Sequence, residues 1–198
     1  GGRDGYVSLE VAPRWADDAA RTVAEAHRLA AAVARPNLLV KVPGTAAGLV
    51  AFEELTAAGV NVNVTLLFSL GQTEAAFRAW LRGLERRHAA GLPLKDSYAV
   101  ASLFMSRVDT LVDAKLAALG SPEALALAGK SAVAMGKLAY RRYTEIFHGA
   151  DFAALREAGA RPQYLLWAST GTKNPAYSDL LYVEPLIGPE TVNTLPDK

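Results

Sequence analysis

Val60-Asn61-Val62-Asn63-Val64-Thr65-Leu66-Leu67-Phe68-Ser69 is the stretch on which the fold turns. Its apolar, β-branched run reads as a strand over 60–67. Asn63 and Thr65 stand two positions apart, so both side chains point to one face of that strand. Ser69 then opens an amphipathic helix reaching about Ala90, with Phe77, Trp80, Leu81 and Leu84 at the i, i+3, i+4, i+7 spacing. A buried strand followed at once by a long helix is one βα unit.

The same alternation extends in both directions. Upstream, Gly59 stops a helix spanning Thr45–Ala58. Before it, Asn37–Val42 is an apolar strand closed by Pro43. Asp17 and Asp18 offer an N-cap for an Ala-rich helix to about Ala34, with Ala19, Val23, Ala26, Ala30 and Val33 at helical spacing. Tyr6–Val11 reads as a short strand. Downstream, Ser97–Leu103 is a strand, and Val108, Leu111, Val112, Leu116 and Leu119 repeat the helical period. A second long helix is expected from about Pro122 to Phe147, then a short one over Asp151–Ala158. Gln163–Ala168 is a strand. A Gly/Pro/Asn-rich loop, a short helix near Ser178–Leu186 and a last strand at Thr191–Thr194 complete the reading.

Alternating strands and helices predict an α/β fold with a parallel sheet. Glu10 and Lys41 stand about 31 residues apart, close to the average unit of an eight-unit barrel of about 250 residues. The fold expected is a (β/α)8 TIM barrel, incomplete in residues 1–198, which form a single domain. Six strand signals are present. The longer interval from Ser102 to Ser169 calls for extra helices between two of the strands. Neither end reads as a natural terminus, so a longer protein with two strands before Gly1 is expected.

Composition narrows the function classes. The chain has 198 residues, 51% hydrophobic and 21% charged, with a formal net charge of +1. That balance does not point to nucleic acid or a membrane surface as a primary partner. There is no cysteine, so disulfides, zinc–thiolate sites and thiol nucleophiles are excluded, and a cytoplasmic setting is expected. No secretory leader or membrane-spanning run is visible. His27, His88 and His148 lie far apart without ligand spacing and read as surface or capping residues. Met105 and Met135 read as packing residues. Trp15, Trp80 and Trp167 form no stacking series with basic residues. Gly129-Lys130-Ser131 resembles the end of a P-loop, but Ala124 stands where its first glycine belongs and the stretch reads as mid-helical.

Active sites of such barrels lie at the C-terminal ends of the strands, and several polar residues fall there. Lys41 sits in Leu38-Leu39-Val40-Lys41-Val42-Pro43. An ammonium in a buried strand must pair or lose its proton, and a free amine attacks carbonyls to form an imine. A strand-end lysine can equally reach out to solvent. Glu10 ends Val7-Ser8-Leu9-Glu10-Val11 and suits either proton transfer beside an amine or a plain ion pair. Asn63 and Thr65 suit substrate hydroxyls, a catalytic water, or polar packing at a barrel mouth. Ser102 with Arg107, and Ser169 with Lys173, match the chemistry of a phosphate clamp, although each cation alone also fits a solvated surface.

Five segments, in order, resemble the transaldolase family across nearly the whole chain. Val60–Ser69 resembles its fifth strand, and Leu39-Val40-Lys41-Val42-Pro43 with Thr45 and Gly48 its fourth, which bears the imine-forming lysine. Ser8-Leu9-Glu10-Val11 resembles the third strand, Ala101-Ser102-Leu103-Phe104 with Arg107-Val108-Asp109 the sixth, and Trp167-Ala168-Ser169 the seventh. Ser169-Thr170-Gly171-Thr172-Lys173-Asn174-Pro175 is similar to the subgroup of actinobacteria and of transaldolase–isomerase fusions, as is Thr191-Val192-Asn193-Thr194-Leu195-Pro196 in the last strand. The resemblance implies Lys41 as Schiff-base lysine, Glu10 and Thr65 as its proton-handling partners, and Asn63 on the carbon fragment. It places Ser102, Arg107, Ser169 and Lys173 toward phosphate, with Lys173 standing where the family usually has an arginine. The implied reaction transfers a dihydroxyacetone unit between sugar phosphates in the pentose phosphate pathway, with no metal or organic cofactor, by a monomer or homodimer. The family's first-strand aspartate and second-strand asparagine are not in this sequence. A fructose-6-phosphate-aldolase-like enzyme, or a catalytically incomplete fragment, are the alternatives.

Overall fold

A computed structural model describes residues 5–195. Its sheet is wholly parallel and takes six strands: β1 (Val7–Glu10), β2 (Leu38–Pro43), β3 (Val62–Leu67), β4 (Ala99–Phe104), β5 (Tyr164–Ala168) and β6 (Thr191–Asn193). Each strand pairs with the next in the order β1-β2-β3-β4-β5-β6. A doubly wound sheet reverses its order at a switch point. This one never reverses, which is the winding of a barrel wall. The expected α/β barrel architecture is therefore present in part, and β1 and β6 are its two edges among the described residues.

Helices follow the strands: α1 (Ala19–Val33), α2 (Ala46–Ala58), α3 (Leu70–Ala89), α4 (Ser106–Leu119), α5 (Pro122–Leu125), α6 (Ser131–Phe147) and α7 (Ala153–Glu157). Three begin on side-chain caps legible in the sequence. Asp18 accepts from the Arg21 N–H, Thr45 from Gly48 and Ser69 from Gln72. Gly59 closes α2 in a left-handed conformation, φ 85°.

The main core lies between the sheet and the helix layer. Val40, Val42, Val62, Val64, Ala101, Leu103 and Trp167 meet Phe52, Phe77, Trp80, Leu84 and Phe147 there. Burying each such side chain contributes about 1.5–3 kcal/mol, and this holds the helices against the wall. The other face of the sheet carries a smaller cluster, Leu39, Val100, Phe104, Leu166 and Ala168. Central strands are thus covered on both faces, as parallel sheets require, whereas β1 is exposed throughout.

Three expectations are corrected. The helix expected from Pro122 to Phe147 is two helices separated by a turn. Gly129 takes φ 70° there, its N–H donates to Asp113, and the Ala132 N–H donates to Asp109. Carboxylates on α4 thus cap a new helix start, a tertiary effect that local periodicity does not carry. For the same reason Gly129-Lys130-Ser131 lies at a helix boundary, not mid-helix. The short helix expected over Ser178–Leu186 is a run of turns ending in a 3-10 turn at Glu184–Leu186. The Asn174 and Ser178 side chains accept from the Ala176 and Leu180 N–H groups and hold those turns instead.

Candidate active site

The sheet face opposite the main core borders a cavity of about 900 Å³, lined among others by Ser8, Lys41, Asn63, Thr65, Ser102 and Ser169. Period-two geometry explains the gathering, because alternate residues of neighbouring strands share one face. Lys41 pairs in register with Glu10 on one side and Asn63 on the other. Lys41 Nζ stands 3.6 Å from Glu10 Oε2, with 27% of the lysine side chain exposed. The lysine has therefore paired, and it still faces open space.

Asn63 is held on both sides. Ser102 Oγ donates to its Oδ1 at 2.6 Å, and its Nδ2 donates to Ser8 Oγ at 3.1 Å. Each partner is a hydroxyl, able to donate or to accept, and together they hold the plane of the amide between β1 and β4. Asn63, Thr65 and Ser102 are all buried. Immediately after Thr65 the β3–β4 register shifts between Val64 and Leu67, and Leu66 takes φ 61°. A bulge of this kind redirects side chains where a strand ends at a site.

Ser169 follows β5 with φ 54°. Its carbonyl accepts from the Ser106 N–H at 2.9 Å, and the two hydroxyls are 2.9 Å apart. Arg107 is exposed, with its guanidinium carbon 5.1 Å from the centre of the Phe104 ring, and Phe104 lines the cavity. Lys173 is not brought into this cavity. It lines a separate hollow of about 200 Å³ with Ser106, Asp109, Asp113, Tyr177 and Tyr182. That hollow is a knot of polar contacts in which the tyrosine hydroxyls of 182 and 177 donate to Asp109 and Asp113.

Sequence reasoning missed two residues, Ser8 and Ser106. Ser8 carried a signal, since it lies two positions before Glu10 and shares its face. Ser106 carried none, because its partner is 63 residues away. The far end of the cavity holds a tyrosine group. Tyr6 and Tyr98 stack at 4.3 Å, and Tyr164 meets Tyr98 edge-on. Burial pushes the Tyr98 hydroxyl up to about 12, with Tyr6 and Tyr164 adding to the shift. Among the described residues no three His, Asp or Glu side chains converge as a metal site would require. No helix there is long and apolar enough to cross a membrane.

A strand-end lysine thus stands beside a glutamate, with an asparagine and a threonine near it on one barrel wall. The profile of the transaldolase/fructose-6-phosphate aldolase family matches residues 2–198. The chain belongs to that family. A protein of Thiobacillus denitrificans named transaldolase is 66% identical over 197 residues, covering 100% of this chain and 55% of its own length. Transaldolase 1 of Streptomyces avermitilis is 52% identical over 197 residues, covering 100% of this chain and 52% of its own. The transaldolase of Mycolicibacterium smegmatis is also 52% identical, with 53% of its length covered. The chain thus spans about half the length of the curated relatives it matches.

Proposed function

We propose that the full protein containing this family segment is a transaldolase working through an imine on Lys41. The observation that carries the reading is the Lys41–Glu10 pair at 3.6 Å, opening on a cavity shared with Asn63, Thr65 and Ser102. The substrates are ketose and aldose phosphates. The Lys41 amine adds to the donor's ketone, giving a carbinolamine. Glu10, with a water held near Thr65, delivers the proton with which that hydroxyl leaves as water, and the iminium remains. The iminium accepts the electron pair released when the carbon–carbon bond beyond the adjacent hydroxyl-bearing carbon breaks. The hydroxyl on the carbon beyond that bond gives its proton to a base, the role the resemblance assigns to the family's first-strand aspartate in the full protein. An aldehyde thereby departs, and a three-carbon unit stays on Lys41 until an aldose phosphate takes it.

Asn63 is suited to the hydroxyls of that retained unit, and Ser102, Arg107 and Ser169 to phosphate. Lys173 would join them only if its loop moved. Because the lysine supplies the electron sink, the proposal needs no metal or organic cofactor. A monomer or homodimer in the cytoplasm is the setting proposed. The relatives' names favour transfer over release of the three-carbon unit to water. Product analysis with and without an aldose acceptor separates a transferase from an aldolase.

The direct test is borohydride trapping of the full-length protein with fructose 6-phosphate, read by mass spectrometry, with Lys41→Ala alongside. A three-carbon adduct on Lys41, lost in the variant, is expected. An adduct on another lysine, or none, would overturn the assignment.

A further inference from the structure

Ser106 makes two contacts to one residue, and that residue is strained. Ser169 has φ 54°, a left-handed conformation that L residues other than glycine, asparagine and aspartate seldom adopt. Such a conformation persists only where the surroundings over-determine it. Here the surroundings are Ser106. Its N–H donates to the Ser169 carbonyl at 2.9 Å and its hydroxyl lies 2.9 Å from the Ser169 hydroxyl. Ser106 is 1% exposed, so its hydroxyl depends on a protein partner. The pair also stands between two spaces, with Ser169 lining the large cavity and Ser106 the small hollow that holds Lys173.

We propose that Ser106 is a positioning residue that fixes the Ser169 hydroxyl at the cavity wall and thereby sets selectivity for phosphorylated over unphosphorylated substrates. The proposal rests on the reading of Ser169 as a phosphate contact. Position matters more here than in a site with two cations at hand. Arg107 packs on Phe104 and is not itself among the cavity-lining residues. Lys173 lies in the neighbouring hollow, and Arg161 lines the cavity at its tyrosine end, near Tyr98 and Tyr164. A correctly aimed hydroxyl therefore carries a larger share of phosphate recognition. With Ser106→Ala the backbone N–H contact survives, so the loop stays paired while the Ser169 hydroxyl is free to rotate.

The test uses the full-length protein with Ser106→Ala, Ser169→Ala and the double variant. KM and kcat are measured for fructose 6-phosphate and for unphosphorylated fructose as donors. Ser106→Ala is expected to raise KM for the phosphorylated donor about fivefold to tenfold, with kcat and the fructose constants held. The double variant should be no worse than Ser169→Ala alone, since both act through one hydroxyl. Equal losses on both donors, or additive losses, would overturn the proposal in favour of a merely structural role. If Ser169→Ala raises KM and Ser106→Ala does not, the positioning role falls while the phosphate reading stands. If Ser169→Ala leaves KM unchanged, the phosphate role of Ser169 falls, and the selectivity inference with it.

Discussion

Lys41 and Glu10 are register partners on β2 and β1, and the ammonium lies 3.6 Å from the carboxylate across that pairing. Glu10 is 48% exposed at its side chain, and an exposed pair of this kind adds only about 0–1 kcal/mol to stability. Replacing it therefore tests chemistry with little disturbance of the fold. Glu10→Gln in the full-length protein is expected to slow imine formation about 100-fold, the lower end of what a positioned proton donor contributes. The trapped adduct should still map to Lys41. The time course of borohydride trapping checks the rate, and a thermal melt unchanged within a few degrees checks the fold.

Asn63 couples stability to the site in the opposite way. Its Oδ1 is the acceptor for the buried Ser102 hydroxyl, and Asn63 itself is 4% exposed. Asn63→Leu strands that hydroxyl without a partner, which costs about 1–3 kcal/mol. A lower urea midpoint is expected, and Ser102→Ala in the same background should restore part of it. If the double variant is less stable than Asn63→Leu alone, the hydrogen bond is not what Asn63 contributes.

The strands and the gathering of Lys41, Asn63, Thr65 and Ser102 were legible because they depend on short-range regularities. An apolar run fixes a strand, period two fixes a face, and a parallel sheet brings equal faces together. Glu10 beside Lys41 followed from both standing near the ends of successive strands. Other features depend on partners distant in sequence. The break between α5 and α6 is made by Asp109 and Asp113 on α4. The bulge at Leu66 exists only relative to the β4 register. Lys173 follows the same strand as Ser169, yet the intervening turn carries it to the side of α4 where Asp113 lies. A residue interval along the chain says nothing about such a turn.

Three tyrosines whose hydroxyls are pushed up predict a loss of stability at alkaline pH. Burial pushes Tyr98 up to about 12. Tyr143 and Tyr182 are pushed up by burial first, and then by the carboxylates of Glu190 and Asp109 that accept their hydrogen bonds. In the unfolded chain all three titrate near the ordinary value of about 10. Above that pH the unfolded state loses protons that the folded state keeps, so stability is complete below about pH 10 and declines as pH rises through the folded values. The urea midpoint is expected to be level from pH 7 to 9 and to fall between pH 10 and 12. Tyr98→Phe should shallow that fall, since it removes one of the shifted groups. An identical slope in the variant would mean that Tyr98 does not share in it.

Gly48 links the helix after the lysine strand to that strand's end. The Thr45 hydroxyl accepts from the Gly48 N–H at the start of α2, and α2 begins three residues after β2 ends at Pro43. A Cβ on Gly48 would overlap the Pro43 carbonyl oxygen and come within 3.1 Å of Thr45 Oγ1. The first overlap is with backbone, which cannot swing aside as a side chain does. Gly48→Ala must therefore move α2 off β2 or shift Pro43, two residues from Lys41. A loss of about 1–3 kcal/mol is expected, the usual cost of forcing a methyl group into a filled space, read as a lower denaturant midpoint. A helix interior normally favours alanine over glycine by about 1 kcal/mol. A variant as stable as the parent would therefore show that α2 yields at little cost. A destabilised variant with slowed Lys41 trapping would show that the helix start holds the lysine strand in place.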